Sequence, residues 1–107
     1  MATVPIDPET LGRLLAGPGV VLLDFWAPWC RPCHYFKPVF EAASERHPDL
    51  VFGSVNTDEQ QGLAARFHVA SLPTLVILRD GEIVYSRAGV ARLTELEALI
   101  DAVTAGR

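Results

Sequence analysis

Two rhythms of apolar residues alternate along this chain. Leu11, Leu14 and Leu15 recur at helical spacing behind Asp7-Pro8, an N-cap followed by proline at the first helical position, and Gly17-Pro18-Gly19 closes the segment. Val20 to Trp26 is then almost uniformly apolar, the pattern of a central strand covered on both faces. Helical spacing returns with Phe36, Val39, Phe40 and Ala43. This helix is predicted to begin inside the segment from Cys30 to Cys33, to be kinked by Pro38 and to stop at His47-Pro48-Asp49. Leu50 to Asn56 reads as a second strand, and Thr57 with Gln60 as a capping box for a helix carrying Leu63 and Phe67. Thr74 to Leu78 and Ile83 to Arg87 flank Arg79-Asp80-Gly81-Glu82, where the Asp-Gly pair signals a hairpin. Thr94 with Glu97 forms another capping-box pattern around Leu96, Leu99, Ile100 and Val103.

Strands alternating with helices imply parallel pairing, and the hairpin adds an antiparallel edge. The expected fold is a three-layer α/β/α domain with a central mixed sheet, one domain over residues 1–107, with Ala2 to Val4 left open as a short edge strand. The length is enough for a real core. A net charge of −4 provides no footprint for nucleic acid or an anionic membrane, and no segment reaches transmembrane length. Met1 to Pro8 lacks the basic and apolar regions of a signal peptide, so a cytoplasmic location is expected. A monomer is expected as well.

The chemistry concentrates in Trp29-Cys30-Arg31-Pro32-Cys33, which holds the only two cysteines. Thiols two residues apart close a small ring that opens readily, which suits redox exchange better than stapling a fold. Cys30 falls where a strand gives way to a helix, and the free N–H groups and positive dipole of a helix N-terminus stabilise a thiolate. Cys30 is therefore expected to be the exposed nucleophile, and Cys33, a turn further in, the buried resolving thiol. Pro32 fits the first helical turn and fixes the bend between the thiols. Asp24 is the one charged residue of the Val20–Trp26 run. Burial beneath the cysteines would raise its pKa and make it a proton acceptor and donor, whereas its bland reading is a carboxylate bonding backbone at a strand end.

Asp24-Phe25-Trp26-Ala27-Pro28-Trp29-Cys30-Arg31-Pro32-Cys33, Pro38, Leu72-Pro73-Thr74, Gly81 and Gly89 together resemble the thioredoxin family, over roughly Leu11 to Ala105. The resemblance implies a redox pair of Cys30 and Cys33, a buried Asp24 assisting Cys33, and a cis Pro73 facing the disulfide. It also implies a shallow groove for extended protein substrates, bordered by Trp29, Leu72, Pro73 and Gly89. No cofactor would be bound by the chain itself: a flavin-dependent thioredoxin reductase would pass it electrons from NADPH.

Two positions depart from that family. Arg31 stands where glycine is usual, which makes Arg31 and Pro32 candidates for tuning the redox potential. Ser54 stands where a lysine usually lies close to the buried aspartate. With no nearby cation to offset burial, the Asp24 pKa is expected to rise further. Other chemistries fit less well. Cys30-Arg31-Pro32-Cys33-His34 satisfies the pattern for covalent haem, but the only methionine is Met1. A zinc site would draw on Cys30, Cys33 and His34, yet adjacent Cys33 and His34 point apart on a helix and no second cysteine pair exists, so no metal is expected. A binding or chaperone module with incidental redox activity would have no use for a carboxylate buried under two thiols. A dedicated disulfide oxidase would want an export signal.

Overall fold

The computed structural model describes residues 2–105; Met1 and the last two residues of the expected domain lie outside this range. The elements run β1 (Thr3–Pro5), α1 (Pro8–Ala16), β2 (Val20–Trp26), α2 (Arg31–Arg46), β3 (Val51–Asn56), α3 (Gln61–Arg66), β4 (Thr74–Arg79), β5 (Glu82–Ala88) and α4 (Leu93–Thr104). Asp7 caps α1 as expected, its Oδ1 accepting from the Thr10 N–H at 2.8 Å, and that hydrogen bond holds the carboxyl below its usual range. The segment left open at the N-terminus is a strand, β1, paired parallel with β3.

The five strands lie in the order β1-β3-β2-β4-β5. Because β2 is covered on both faces, its alternation divides the core in two. Val21, Leu23 and Phe25 pack with Leu11 of α1 and Leu63 of α3. Val20 and Leu22 pack on the other face with Phe36, Phe40 and Ala43 of α2 and Leu96 and Ile100 of α4. The result is the expected three-layer arrangement. The antiparallel character, however, enters at the centre of the sheet, because β4 runs antiparallel to β2 as well as to β5. The chain enters β4 from the end at which β2 and β3 finish: Thr74, the first residue of β4, pairs with Phe25 near the end of β2.

Three local readings need correction. Thr57 does not cap α3: its hydroxyl donates to the Trp26 carbonyl at 3.0 Å, and Gln60 is the N-cap, without a side-chain bond. Phe67 lies just past the end of α3, although it is buried as its spacing suggested. In α4 the reciprocal carboxylate is Glu95, which accepts from the Arg92 N–H at 3.0 Å, while Glu97 instead receives His47 and Arg46 from the end of α2. The hairpin matches its sequence signal: Asp80 and Gly81 both have positive φ, 52° and 84°, as a tight two-residue turn requires.

Gly53 sits between β1 and β2 in register with Val4 and Leu23. A Cβ there would lie 2.5 Å from Ile6 Cγ1 and 3.0 Å from Leu23 Cδ2, whereas one on Gly12 would meet nothing within 4 Å. Gly53→Ala is therefore expected to destabilise the fold by about 1–3 kcal/mol. Gly12→Ala, in an exposed helix interior, should stabilise it by about 0.5–1 kcal/mol. Urea melts of the two variants check this contrast, and equal effects would show that Ile6 yields freely.

Candidate functional site

β2 ends at Trp26 and α2 begins at Arg31, so the residues between them cross the end of the sheet in one tight connection. Cys30 is the N-cap of α2, and its sulfur accepts from the Cys33 N–H at 3.2 Å. The two cysteines form a disulfide with their Cα atoms 5.3 Å apart. Pro32 occupies the first turn as expected.

The expected contrast in exposure between the cysteines is small: Cys30 is 5% and Cys33 2% exposed. Their difference lies in what each faces. Cys30 borders an open groove of about 560 Å³ together with Trp29, Arg31, Pro32, Thr57 and the 69–72 segment. Cys33 borders a cavity of about 20 Å³ on the inner side, shared with Asp24, Trp26, His34, Lys37 and Ser54.

Strand parity explains Asp24. It follows Val20 and Leu22 at two-residue spacing and so faces α2, opposite Ser54 of β3 and Leu75 of β4 in register. The side chain is buried, and its Oδ1 has no hydrogen-bond partner among the described residues. It does not bond backbone at a strand end through that atom. Burial raises its pKa from 3.8 to about 7, against the opposing pull of Lys37. A cation is therefore present near Asp24 despite Ser54, which corrects the expectation of an uncompensated carboxylate. Lys37 escaped the sequence reading because it lies in a different element from Ser54; its spacing of four from Cys33 was the available signal.

Around the rim, Trp29 is 71% exposed and anchored by its Nε1–H donating to Asp58 Oδ1 at 3.1 Å. The Leu72–Pro73 bond is cis. Leu72 lines the groove, while Gly89 lies in a second depression between β5 and α4 and meets the site through its N–H, which donates to the Pro73 carbonyl at 2.8 Å. The groove wall also takes in Ala64, Val69, Ala70 and Ser71, whose small apolar and hydroxyl side chains carry no signature in the sequence, and Thr57, which reads there only as a helix cap. His34 is exposed, with its Nε2 and the Pro28 carbonyl 2.7 Å apart. Among the described residues no three His, Cys, Asp or Glu side chains converge as metal ligands.

Comparison with known proteins agrees with this geometry. A family model described as Thioredoxin matches residues 4–102. The chain is 43% identical over 98 residues to "Putative thioredoxin 2" of Streptomyces coelicolor, covering 89% of this chain and 73% of that protein. It is 42% identical over 84 residues to thioredoxin of Bacillus subtilis, covering 78% and 81%. A mutant thioredoxin from Halobacterium salinarum superposes with a TM-score of 0.88 at 34% identity, over 95% of this chain and 90% of that one.

The raised Asp24 has a measurable consequence for stability. The unfolded carboxyl loses its proton near 3.8 and the folded one near 7, so between these values the unfolded chain holds fewer protons and stability falls as pH rises. At about 1.4 kcal/mol per pH unit, the whole span is worth at most about 4 kcal/mol. Asp24→Asn should therefore melt close to the wild type at pH 4 and well above it at pH 8. A gap that stays constant with pH would show that Asp24 titrates alike in both states.

Proposed function

The chain belongs to the thioredoxin family, and from that premise we propose which of its residues carries each step. It is a thiol–disulfide oxidoreductase, and the family works through a redox disulfide rather than a prosthetic group, with a thioredoxin reductase and disulfide-bearing proteins as partners. In the proposed cycle the reduced Cys30 thiolate attacks one sulfur of a substrate disulfide, forming a mixed disulfide and releasing the other substrate sulfur as a thiolate. Cys33 then loses its proton to the Asp24 carboxylate and attacks Cys30 Sγ. The bond between Cys30 and substrate breaks, the second substrate thiolate leaves, and the Cys30–Cys33 disulfide forms. Two electrons have passed from the protein to the substrate.

The observation that carries this assignment is the division of surroundings: Cys30 borders the open groove, and Cys33 the closed cavity with Asp24. An extended substrate would lie across Trp29 and Leu72, with Pro73 and Gly89 at its margin. Arg31 is exposed on the rim and adds positive charge at the first residue of α2, beside the nucleophile. Return to the dithiol would draw on NADPH through a flavin-dependent reductase, in the cytoplasm.

Two experiments test the roles. Cys33→Ser should accumulate a mixed disulfide with an insulin substrate through Cys30, visible by mass spectrometry, while Cys30→Ser should trap little. Equal trapping by both would overturn the order of attack. For Arg31, exposed charge pairs and the two-electron conversion together limit the effect to about 20 mV. Arg31→Gly should make the potential more negative by no more than that, read by equilibration against glutathione. A shift of about 60 mV or more, or one toward oxidising values, would mean that backbone freedom at residue 31 outweighs its charge.

A further inference from the structure

Asp24 is the proton acceptor of the proposed cycle, yet nothing in its own strand helps it hold a charge. Its neighbours in the sheet are Ser54 on β3 and Leu75 on β4, neither of them ionisable. Among the described residues, the other ionisable groups facing its cavity come from α2: Cys33, His34 and Lys37. Cys33 and Lys37 are four residues apart on that helix and therefore share one face, which looks down on Asp24. The Lys37 ammonium also lies 5.7 Å from the centroid of the Trp26 ring, within cation–π range. Trp26 is the next residue after Asp24 on the same face of β2, and it lines the same cavity as Asp24 and Lys37. His34 is tied to the Pro28 carbonyl through Nε2, away from this role.

We propose that Lys37 is the positioning residue for proton transfer at Asp24, its ammonium supplying the compensating charge that the strand position of Ser54 leaves out. The proposal rests on the reading of Asp24 as acceptor of the Cys33 proton. Its logic is conservation of charge within the cavity. Before transfer the negative charge is on the Asp24 carboxylate; afterwards it is on Cys33 Sγ, and the proton is on Asp24. A cation within reach of both positions balances a single negative charge throughout, so the transfer does not separate charge in a poorly solvated space. When Sγ then attacks Cys30, that charge leaves on the departing substrate thiolate. Without Lys37, burial alone would keep Asp24 mostly protonated near neutral pH, and most of the acceptor would be lost there.

The test compares oxidised wild-type protein with Lys37→Gln, Lys37→Arg and the double variant Lys37→Gln/Ser54→Lys, following the Asp24 carboxyl carbon by NMR across pH. Lys37→Gln is expected to move the Asp24 midpoint up by about one pH unit, the low end for loss of a nearby opposite charge. Lys37→Arg should stay near the wild type, and the double variant should return toward it, because residue 54 is the register neighbour of Asp24. The pH–rate profile of insulin reduction should shift alkaline in parallel. A one-unit rise from about 7 leaves roughly a fifth as much carboxylate at pH 7, so the rate there should fall roughly five-fold and recover by about pH 9. Because Lys37 is exposed, its single variants should fold. An Asp24 midpoint unmoved in Lys37→Gln overturns the proposal. If the midpoint moves but Asp24→Asn reduces insulin at the wild-type rate, the acceptor role falls instead, and the coupling between Lys37 and Asp24 stands as electrostatics alone.

Discussion

β2 is the constraint on which the rest depends. A strand covered on both faces has no solvent side, so each of its residues must commit to one core or the other. Val21, Leu23 and Phe25 go to the side of α1 and α3, and Val20 and Leu22 to the side of α2 and α4. The next position on the second side is Asp24. A carboxylate there is desolvated by the packing that makes β2 central, and it lies beneath the helix that carries both cysteines. Shifting the strand by one residue would turn Asp24 toward α3 and leave the thiols with no titrating group below them.

The direction of β4, antiparallel to β2, is the second constraint. Because the chain re-enters the sheet at the end where β2 stops, the Leu72–Pro73 segment arrives beside the disulfide rather than at the opposite end. The groove thus lies between residues 29–32 and 69–72, with Thr57 and Ala64 completing its wall, on a frame held by the antiparallel pair of β2 and β4. The same geometry brings the Gly89 N–H onto the Pro73 carbonyl, through the continuation of β5.

Elements whose identity rests on periodicity were legible in the sequence: the uniform strand of Val20 to Trp26, the stripe of Phe36, Phe40 and Ala43, and the Asp80-Gly81 turn. The N-terminal end of α1 was equally plain, because Asp followed by Pro ahead of a helical stripe fits the N-cap and first helical positions. The capping boxes misled because Thr-x-x-Gln and Thr-x-x-Glu describe a local possibility, while Thr57 was recruited by the end of β2 and Glu97 by His47 and Arg46. The cysteines and Asp24 were legible as anomalies, each of a type unexpected in its segment. Lys37 was not, since a lysine on an amphipathic helix is ordinary. Only the packing of α2 on β2 shows that this one reaches over Trp26 toward the carboxylate.

Placing the cation on α2 rather than on β3 changes its energetic character. A lysine on β3, beside Asp24 in register, would enter the sheet interior with its charge, and desolvating an ammonium there offsets much of what it returns to the carboxylate. From α2 the lysine ammonium lies over the Trp26 ring while the residue stays exposed, so the charge keeps part of its hydration. The attraction is correspondingly weaker, since water and salt screen a charge at the surface more than one in the core. A pKa near 7 for Asp24 is what such a compromise delivers: burial pushes the carboxyl far above 3.8, and a screened cation draws it only part of the way back. A fully buried pair would hold the carboxylate ionised and reluctant to keep a proton. No cation at all would hold it protonated. In the proposed cycle the acceptor must both take a proton from Cys33 and return it in the next reduction, which needs the intermediate case, and a lysine on the partly solvated face of α2 would supply it.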